Sequence, residues 1–476
     1  MIDCCETDAK MDRYDLAVIG AGSAGFSAAI TAAEQRAQVV LIGHGTIGGT
    51  CVNVGCVPSK TMIRAAEALH SSRAASRFPG VSGEAHLSSW RDLIAAKDDL
   101  VTTLRQKKYI DLLPDYNGIA YLEGEALLDD RGVLVNGGVV DAGRVIIATG
   151  SSPSLPDIPG VANIPYLTST TALDLTELPR SMIVIGGGYI GCELAQMFAR
   201  VGTEVTLVTR SRVLPEAEPE ISDALTGYLR EDGITVRSGL AYRRIDRSAD
   251  GIALAIEMSD GECETLISEH VLIATGRSPN TGKLGLTKAG VELTAEGGVS
   301  IDDRMRSSKS GVYAAGDVTG RDQFVYMAAY GAKLAALNAL NGDRLVYDNT
   351  AMPWVVFTDP QVAGVGMSEA AANAAGFETK TSIVPLDQVP RALAARDTRG
   401  LIKLVADART DRLLGAQLSA PEGADSIQTM VLALKHGMTA KALGETVFPY
   451  LTTVEGLRLA AQGFGKDVSK LSCCAG

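Results

Sequence analysis

A strand–glycine turn–helix unit occurs twice in this chain, and it restricts the possible folds more than any other feature. The first copy runs Tyr14-Asp15-Leu16-Ala17-Val18-Ile19, then Gly20-Ala21-Gly22-Ser23-Ala24-Gly25 and an Ala-rich helix. The second runs Ser181-Met182-Ile183-Val184-Ile185, then Gly186-Gly187-Gly188-Tyr189-Ile190-Gly191 and a helix through Arg200. Glycines at the first, third and sixth turn positions let the backbone approach a pyrophosphate lying on the helix N-terminus. Near copies, Val145-Ile146-Ile147-Ala148-Thr149-Gly150 and Val271-Leu272-Ile273-Ala274-Thr275-Gly276, close the two units. Two dinucleotide folds in one chain imply two nucleotide ligands.

Strand and helix patterns alternate from Tyr14 to about Leu340, which predicts an α/β chain with largely parallel sheets. At 476 residues the chain exceeds one hydrophobic core, and roughly 150 residues per domain suggests three. The expected organisation is a tail (1–11), a first Rossmann-like domain in two segments (12–150 and 276–346) and a second Rossmann-like domain (151–275). An α+β domain (347–465) and a C-terminal tail (466–476) follow. The net charge of −12 and pI near 5.1 repel phosphate backbones and anionic lipid, which argues against nucleic-acid and membrane partners. The apolar run Leu16–Ala33 is broken by three glycines, and the acidic N-terminus has no apolar signal core; a cytoplasmic protein is expected.

The second strand of each nucleotide unit normally ends on the residue that reads the ribose. In the second unit Glu204–Val208 is followed by Thr209-Arg210-Ser211-Arg212, and two arginines without a carboxylate favour the 2′-phosphate of NADPH. In the first unit Val39–Ile42 is followed by Gly43-His44, so the expected acid is missing and ribose recognition has to come from elsewhere. Ala314-Ala315-Gly316-Asp317 places a carboxylate after a short strand, suited to the ribityl hydroxyls of FAD. The residues assigned to FAD are Gly20, Gly22, Gly25, Gly45, Thr50, Lys60, Ala126, Gly150, Asp317 and Val325. Those assigned to NADPH are Gly186, Gly188, Tyr189, Gly191, Arg210, Arg212 and Gly276.

Six of eight cysteines are grouped in pairs: Cys4-Cys5, Cys51 with Cys56, and Cys473-Cys474. That grouping points to redox or soft-metal chemistry. Cys192 and Cys263 read as packing and surface residues. In Gly48-Gly49-Thr50-Cys51-Val52-Asn53-Val54-Gly55-Cys56-Val57-Pro58-Ser59-Lys60, two thiols precede a helical run from Thr61 to Leu69, whose dipole favours thiolate. This segment resembles the redox-active disulfide of the flavin-dependent pyridine nucleotide–disulfide oxidoreductases, and the resemblance extends over essentially the whole chain. It implies that Cys56 is the thiolate next to the flavin and Cys51 the interchange thiol. It also implies a Lys60–Glu193 ion pair near the flavin and a Tyr189 gate over the nicotinamide site.

Members of that family that reduce organic disulfides carry His-Pro-Thr-x-x-Glu near the C-terminus. Here the run is Phe448-Pro449-Tyr450-Leu451-Thr452-Thr453-Val454-Glu455, with Tyr450 in place of the histidine and the spacing to Glu455 kept. A phenol, with an ordinary pKa near ~10, is a poor acid–base partner for thiol–disulfide exchange. That run and Leu471-Ser472-Cys473-Cys474-Ala475-Gly476 resemble the Hg(II)-reducing members, in a form without an N-terminal heavy-metal-binding domain. The resemblance implies a homodimer in which Cys473 and Cys474 reach the partner's site and pass thiol-bound Hg(II) to Cys51 and Cys56, flanked by Tyr109 and Tyr450. Cys4-Cys5 is either a metal-catching arm or an inert end. A reductase of small disulfides and a non-catalytic metal-sequestering protein are the alternatives.

Overall fold

The computed structural model describes residues 13–470; the pairs Cys4-Cys5 and Cys473-Cys474 lie outside them. The chain divides into two compact units. The first comprises the chain up to Pro58, Ala96–Ser152 and Arg277–Asp348; the second comprises Ser59–Ala95, Pro153–Gly276 and the chain from Asn349 onward.

The first unit is built on a parallel sheet in the order Val312–Ala314, Ala142–Ile147, Tyr14–Ile19, Val39–Gly43, Ile119–Glu123. Val39–Gly43 is buried along its whole length, as a strand with both sheet faces covered has to be. The Ala-rich helices Ser23–Glu34 and Val325–Asn341 lie close together because their contacting side chains are small. Ser27 Oγ donates to the Ala329 carbonyl at 2.8 Å between them. An antiparallel meander (Ala126–Asp129, Gly132–Val135, Gly138–Val140) adds Leu128, Val133 and Val135 to the core.

The second unit repeats this plan. Its parallel sheet runs Thr235–Ser238, Glu204–Thr209, Ser181–Ile185, His270–Ile273, Leu167–Thr168, with a meander of Leu240–Ser248, Gly251–Met258 and Cys263–Ser268. In both sheets the strand feeding the glycine turn lies between its successor and the strand that leads into Ala-Thr-Gly. The same unit carries an antiparallel sheet ordered Pro353–Val356, Gln361–Gly366, Leu413–Ala420, Leu401–Asp407, Thr379–Pro385. Helices Gly423–Lys435 and Glu455–Gln462 cover one face around Ile402, Leu404, Leu418, Met430 and Leu457.

The grouping differs from the expected segments in two respects. Ser59–Ala95 belongs to the second unit, because Met62, Ala66, Trp90 and Ile94 share a buried core with Leu194, Phe198 and Val356. The second nucleotide segment and the α+β segment also form one unit, and polar groups tie them together. Glu218 N donates to Gln417 Oε1 at 2.7 Å. Lys403, 2% exposed, holds Glu218, Glu220 and Glu369 at 3.1, 3.0 and 2.9 Å. Burial alone would lower the Lys403 pKa, but the three carboxylates raise it above the ordinary lysine range. No helix among the described residues is long and apolar enough to cross a membrane.

Candidate functional site

The two glycine turns divide their work identically. A Cβ on Gly20 would stand 2.3 Å from the Ala148 carbonyl oxygen, and one on Gly186 would stand 2.3 Å from that of Ala274. Both glycines hold φ at +117°, which side chains rarely adopt. A Cβ on Gly25 or Gly191 would strike the Gly20 or Gly186 carbonyl oxygen at 1.7 or 1.8 Å. These four positions are glycine for packing. The middle glycines are not: a Cβ on Gly188 meets nothing within 4 Å, and one on Gly22 meets only the Gly49 backbone, at 3.4 Å or beyond. They leave open space at helix ends that no side chain caps. Gly45, Gly150 and Gly276 are likewise open on the Cβ side. These cradles fit the pyrophosphates of FAD and NADPH, held by first-turn N–H groups.

Asp317 Oδ2 accepts from Ser151 Oγ at 2.7 Å and lies 3.9 Å from Arg277 Nε. Arg277 also donates to Ser151, through Nε to Oγ at 2.8 Å and Nη2 to the carbonyl at 2.6 Å. Burial lowers the Arg277 pKa, opposed by the charges of Asp317 and Cys56. Sequence reasoning missed Arg277, although it directly follows the Ala-Thr-Gly repeat. Of the other residues assigned to FAD, Thr50 lies in the helix Gly49–Val54, Ala126 opens the first meander and Val325 opens its helix.

The thiol segment is docked on the first glycine turn. Gly48 N donates to the Ala21 carbonyl at 2.8 Å, and Gly49, at φ +67°, lies so close to Gly22 that a Cβ would stand 2.6 Å from its Cα. Cys51 lies in the short helix Gly49–Val54, and Cys56 is the first residue of the helix Cys56–Arg73. The expected start at Thr61 is therefore five residues late. Pro58 falls in the first turn, where its missing N–H breaks no hydrogen bond. Cys51 is partly buried and Cys56 is exposed. Asn53 braces the loop by donating to the carbonyls of Ile47 and Gly49 at 2.9 and 2.8 Å, and it accepts from Arg105 Nη1 at 3.1 Å. Tyr109 lies on a π-helical stretch, Gln106–Ile110, of the kind often found at functional positions. Its ring meets Phe26 edge-on at 4.9 Å, and its hydroxyl is 3.3 Å from Ser23 Oγ. Burial raises its pKa; Ser23 acts against this, and the charges of Cys51 and Cys56 add to it. A neutral phenol thus accompanies the two thiols.

In the second unit, Lys60 Nζ donates to Glu193 Oε2 at 2.6 Å and lies 4.8 Å from the centre of the Phe357 ring. Glu193, 4% exposed, takes the Phe357 N–H on Oε1 at 2.9 Å, so both its oxygens are engaged. Phe357 is a second residue that sequence reasoning missed. Tyr189 stacks on Trp354 with centroids 5.6 Å apart and planes 20° apart. Burial and the Glu216 charge push its phenol up to about 12. Burial likewise raises the Cys192 thiol, whose Sγ donates to the Gly187 carbonyl at 3.4 Å, so Cys192 packs the second turn.

The two arginines after Thr209 are not equivalent. Arg212 Nη2 donates to the carbonyls of Pro215 and Ala217, bracing its own turn, whereas Arg210 is exposed. Arg210→Glu is therefore expected to lower the ratio of kcat/KM for NADPH over NADH by at least ~10-fold, the worth of a charge-assisted phosphate contact. Arg212→Glu should act mainly on stability. An unchanged cofactor ratio in Arg210→Glu would remove this residue from phosphate reading.

Tyr450 is half exposed, beside Leu451 at φ +60° and the fully exposed Val447. Glu455 is 3% exposed, and its Oε2 finds no hydrogen-bond partner among the described residues. Among those residues no group of three or more His, Cys, Asp or Glu side chains is arranged to hold a metal ion.

The model of the pyridine nucleotide-disulphide oxidoreductases matches residues 14–335, and that of their dimerisation domain matches 352–461. A mercuric reductase of Bacillus cereus is 47% identical over 97% of this chain and 73% of its own length. One from Streptomyces lividans is 46% identical over 97% of this chain and 98% of its own. Among solved structures, the HOCl-induced flavoprotein disulfide reductase RclA from Escherichia coli superposes with a TM-score of 0.83 at 29% identity, over 94% of this chain and 99% of that one. With its paired nucleotide turns and its thiol pair seated on the first of them, this chain belongs to the pyridine nucleotide-disulphide oxidoreductase family.

Proposed function

We infer that this chain is an FAD- and NADPH-dependent enzyme that reduces Hg(II), presented as a dithiolate complex, to elemental mercury. The observation that carries the reading is Tyr450, which stands where disulfide-reducing members need an imidazole, in a chain 47% identical to a mercuric reductase. The reaction balances as Hg(SR)2 + NADPH + H+ giving Hg(0) + NADP+ + 2 RSH. FAD supplies the two-electron relay between the nicotinamide and the thiol-bound ion.

The chain's own residues do the rest. Cys51 and Cys56 bind Hg(II), a soft d¹⁰ ion satisfied by two or three thiolates. Tyr109 keeps a neutral O–H beside them. Glu193 fixes the Lys60 ammonium, a positive charge assigned to the flavin's edge, and Tyr189 gates the nicotinamide. A homodimer assembled through the 352–461 region brings Tyr450 and the Cys473-Cys474 pair of one subunit to the thiols of the other. Adjacent thiolates displace the incoming ligands one at a time without releasing the ion. Purified enzyme supplied with NADPH tests the reading: Hg(II) should trigger catalytic NADPH loss and release mercury vapour, while oxidised glutathione should do neither. Stoichiometric loss would mark sequestration instead.

Replacing Cys473 and Cys474 together by Ala is expected to slow turnover of bulky dithiol complexes of Hg(II) far more than of small halide complexes, which reach Cys51 and Cys56 unaided. The flavin spectrum should not change. Mixing Cys51/Cys56-dead with tail-dead subunits should restore part of the activity. Full activity of the tail variant on thiol-bound Hg(II) would refute the relay.

A further inference from the structure

We propose that Tyr121 reads the adenosine ribose of FAD in place of the strand-end carboxylate that this chain lacks. Val39–Gly43 ends on a residue without a side chain, at the point where a nucleotide-binding strand normally offers an acid to the ribose hydroxyls. The packing shows what fills that point. A Cβ on Gly43 would stand 2.5 Å from Tyr121 Oη, 2.9 Å from Tyr121 Cε2 and 2.9 Å from the Ala21 Cβ. Ala21 lies between the first two glycines of the nucleotide turn, so the tip of the phenol is lodged against that turn. No larger residue fits at position 43 while the ring is there.

The neighbouring strand explains how the ring arrives. Leu41 pairs with Tyr121 and Gly43 with Glu123 in the parallel register, and side chains two apart share a sheet face. Glu123 therefore lies level with Gly43, on the face of Tyr121, one strand further out. Burial first, and then the Glu123 carboxylate, raises the Tyr121 pKa, so the phenol keeps its proton beside a negative charge. Glu125 is already engaged, with His44 at 3.4 Å and Lys283 at 3.8 Å. The acid of the usual arrangement has in effect moved one strand outward, and a phenol, able both to donate and to accept, spans the gap to the ribose.

The inference rests on FAD occupying the first unit; flavin absorbance of the purified protein tests that separately. Protein stripped of flavin is titrated with FAD and with FMN, which lacks the adenosine, and quenching of flavin fluorescence is followed. Tyr121→Phe should weaken FAD about 3- to 10-fold, the worth of one hydrogen bond, and leave FMN unchanged. Tyr121→Ala should weaken FAD at least as much. Unaltered FAD affinity in Tyr121→Phe, or equal losses for FAD and FMN, would each overturn the proposal.

Discussion

Cys56→Ala is expected to bind FAD and lose turnover of Hg(II) by on the order of 10³-fold or more, the scale on which removal of a reacting nucleophile acts. Cys56 opens the helix Cys56–Arg73, so the dipole favours its thiolate, and its charge acts on Arg277. The same variant should lack the long-wavelength thiolate–flavin absorbance on two-electron reduction. Cys51→Ala should behave differently. Its lesion lies in the separate helix Gly49–Val54, and Cys56 is left as a lasting thiolate with no partner for a disulfide. Anaerobic titration with NADPH under visible absorbance checks both. Identical spectra would contradict the assignment of unlike roles to the two thiols.

Lys403→Met should be strongly destabilising. It leaves Glu218, 4% exposed, without its ammonium and sets it against Glu220 and Glu369. Breaking a buried ion pair from one side costs about 3–5 kcal/mol. For a unit of this size the melting temperature should fall by on the order of 10 °C. Adding Glu218→Gln and Glu369→Gln should return part of the loss, because the uncompensated charge, rather than lost packing, causes it. Calorimetry at fixed FAD concentration decides, and a melting temperature within about 2 °C of the parent would show that water compensates the cluster.

What could be read from the chain was local. The glycine turns and the Cys51–Cys56 spacing depend on neighbours within about six residues; the turns stand on the expected strand–helix elements, whereas both thiols lie within helices rather than ahead of one. The helix of the second thiol starts at Cys56 rather than Thr61, with Pro58 in its first turn, where the missing N–H breaks no hydrogen bond. Lys60 and Glu193 lie 133 positions apart, so only the family resemblance suggested their pairing. Phe357, Trp354 and Tyr121 carried no signal at all. Tyr121 matters only once Ile119–Glu123 is known to lie beside Val39–Gly43, and the number of strands in a sheet, their order and their register are long-range quantities.

The matched contacts beneath Gly20 and Gly186 make the molecule its own control. A Cβ on either glycine would strike a main-chain oxygen, of Ala148 or Ala274, at the same distance, and both hold the same φ. Each following threonine anchors a second crossing, with Thr149 Oγ1 donating to the Asn280 carbonyl at 2.8 Å and Thr275 Oγ1 to that of Ser154 at 3.0 Å. Because the oxygen belongs to the backbone, the supporting strand is free to change its side chains while the glycine is not, so the two units can differ in sequence and still keep this joint. One methyl group added at either joint is thus the same mechanical insult delivered to two different cofactor sites, and any difference between the two outcomes reports on the cofactors rather than on the fold.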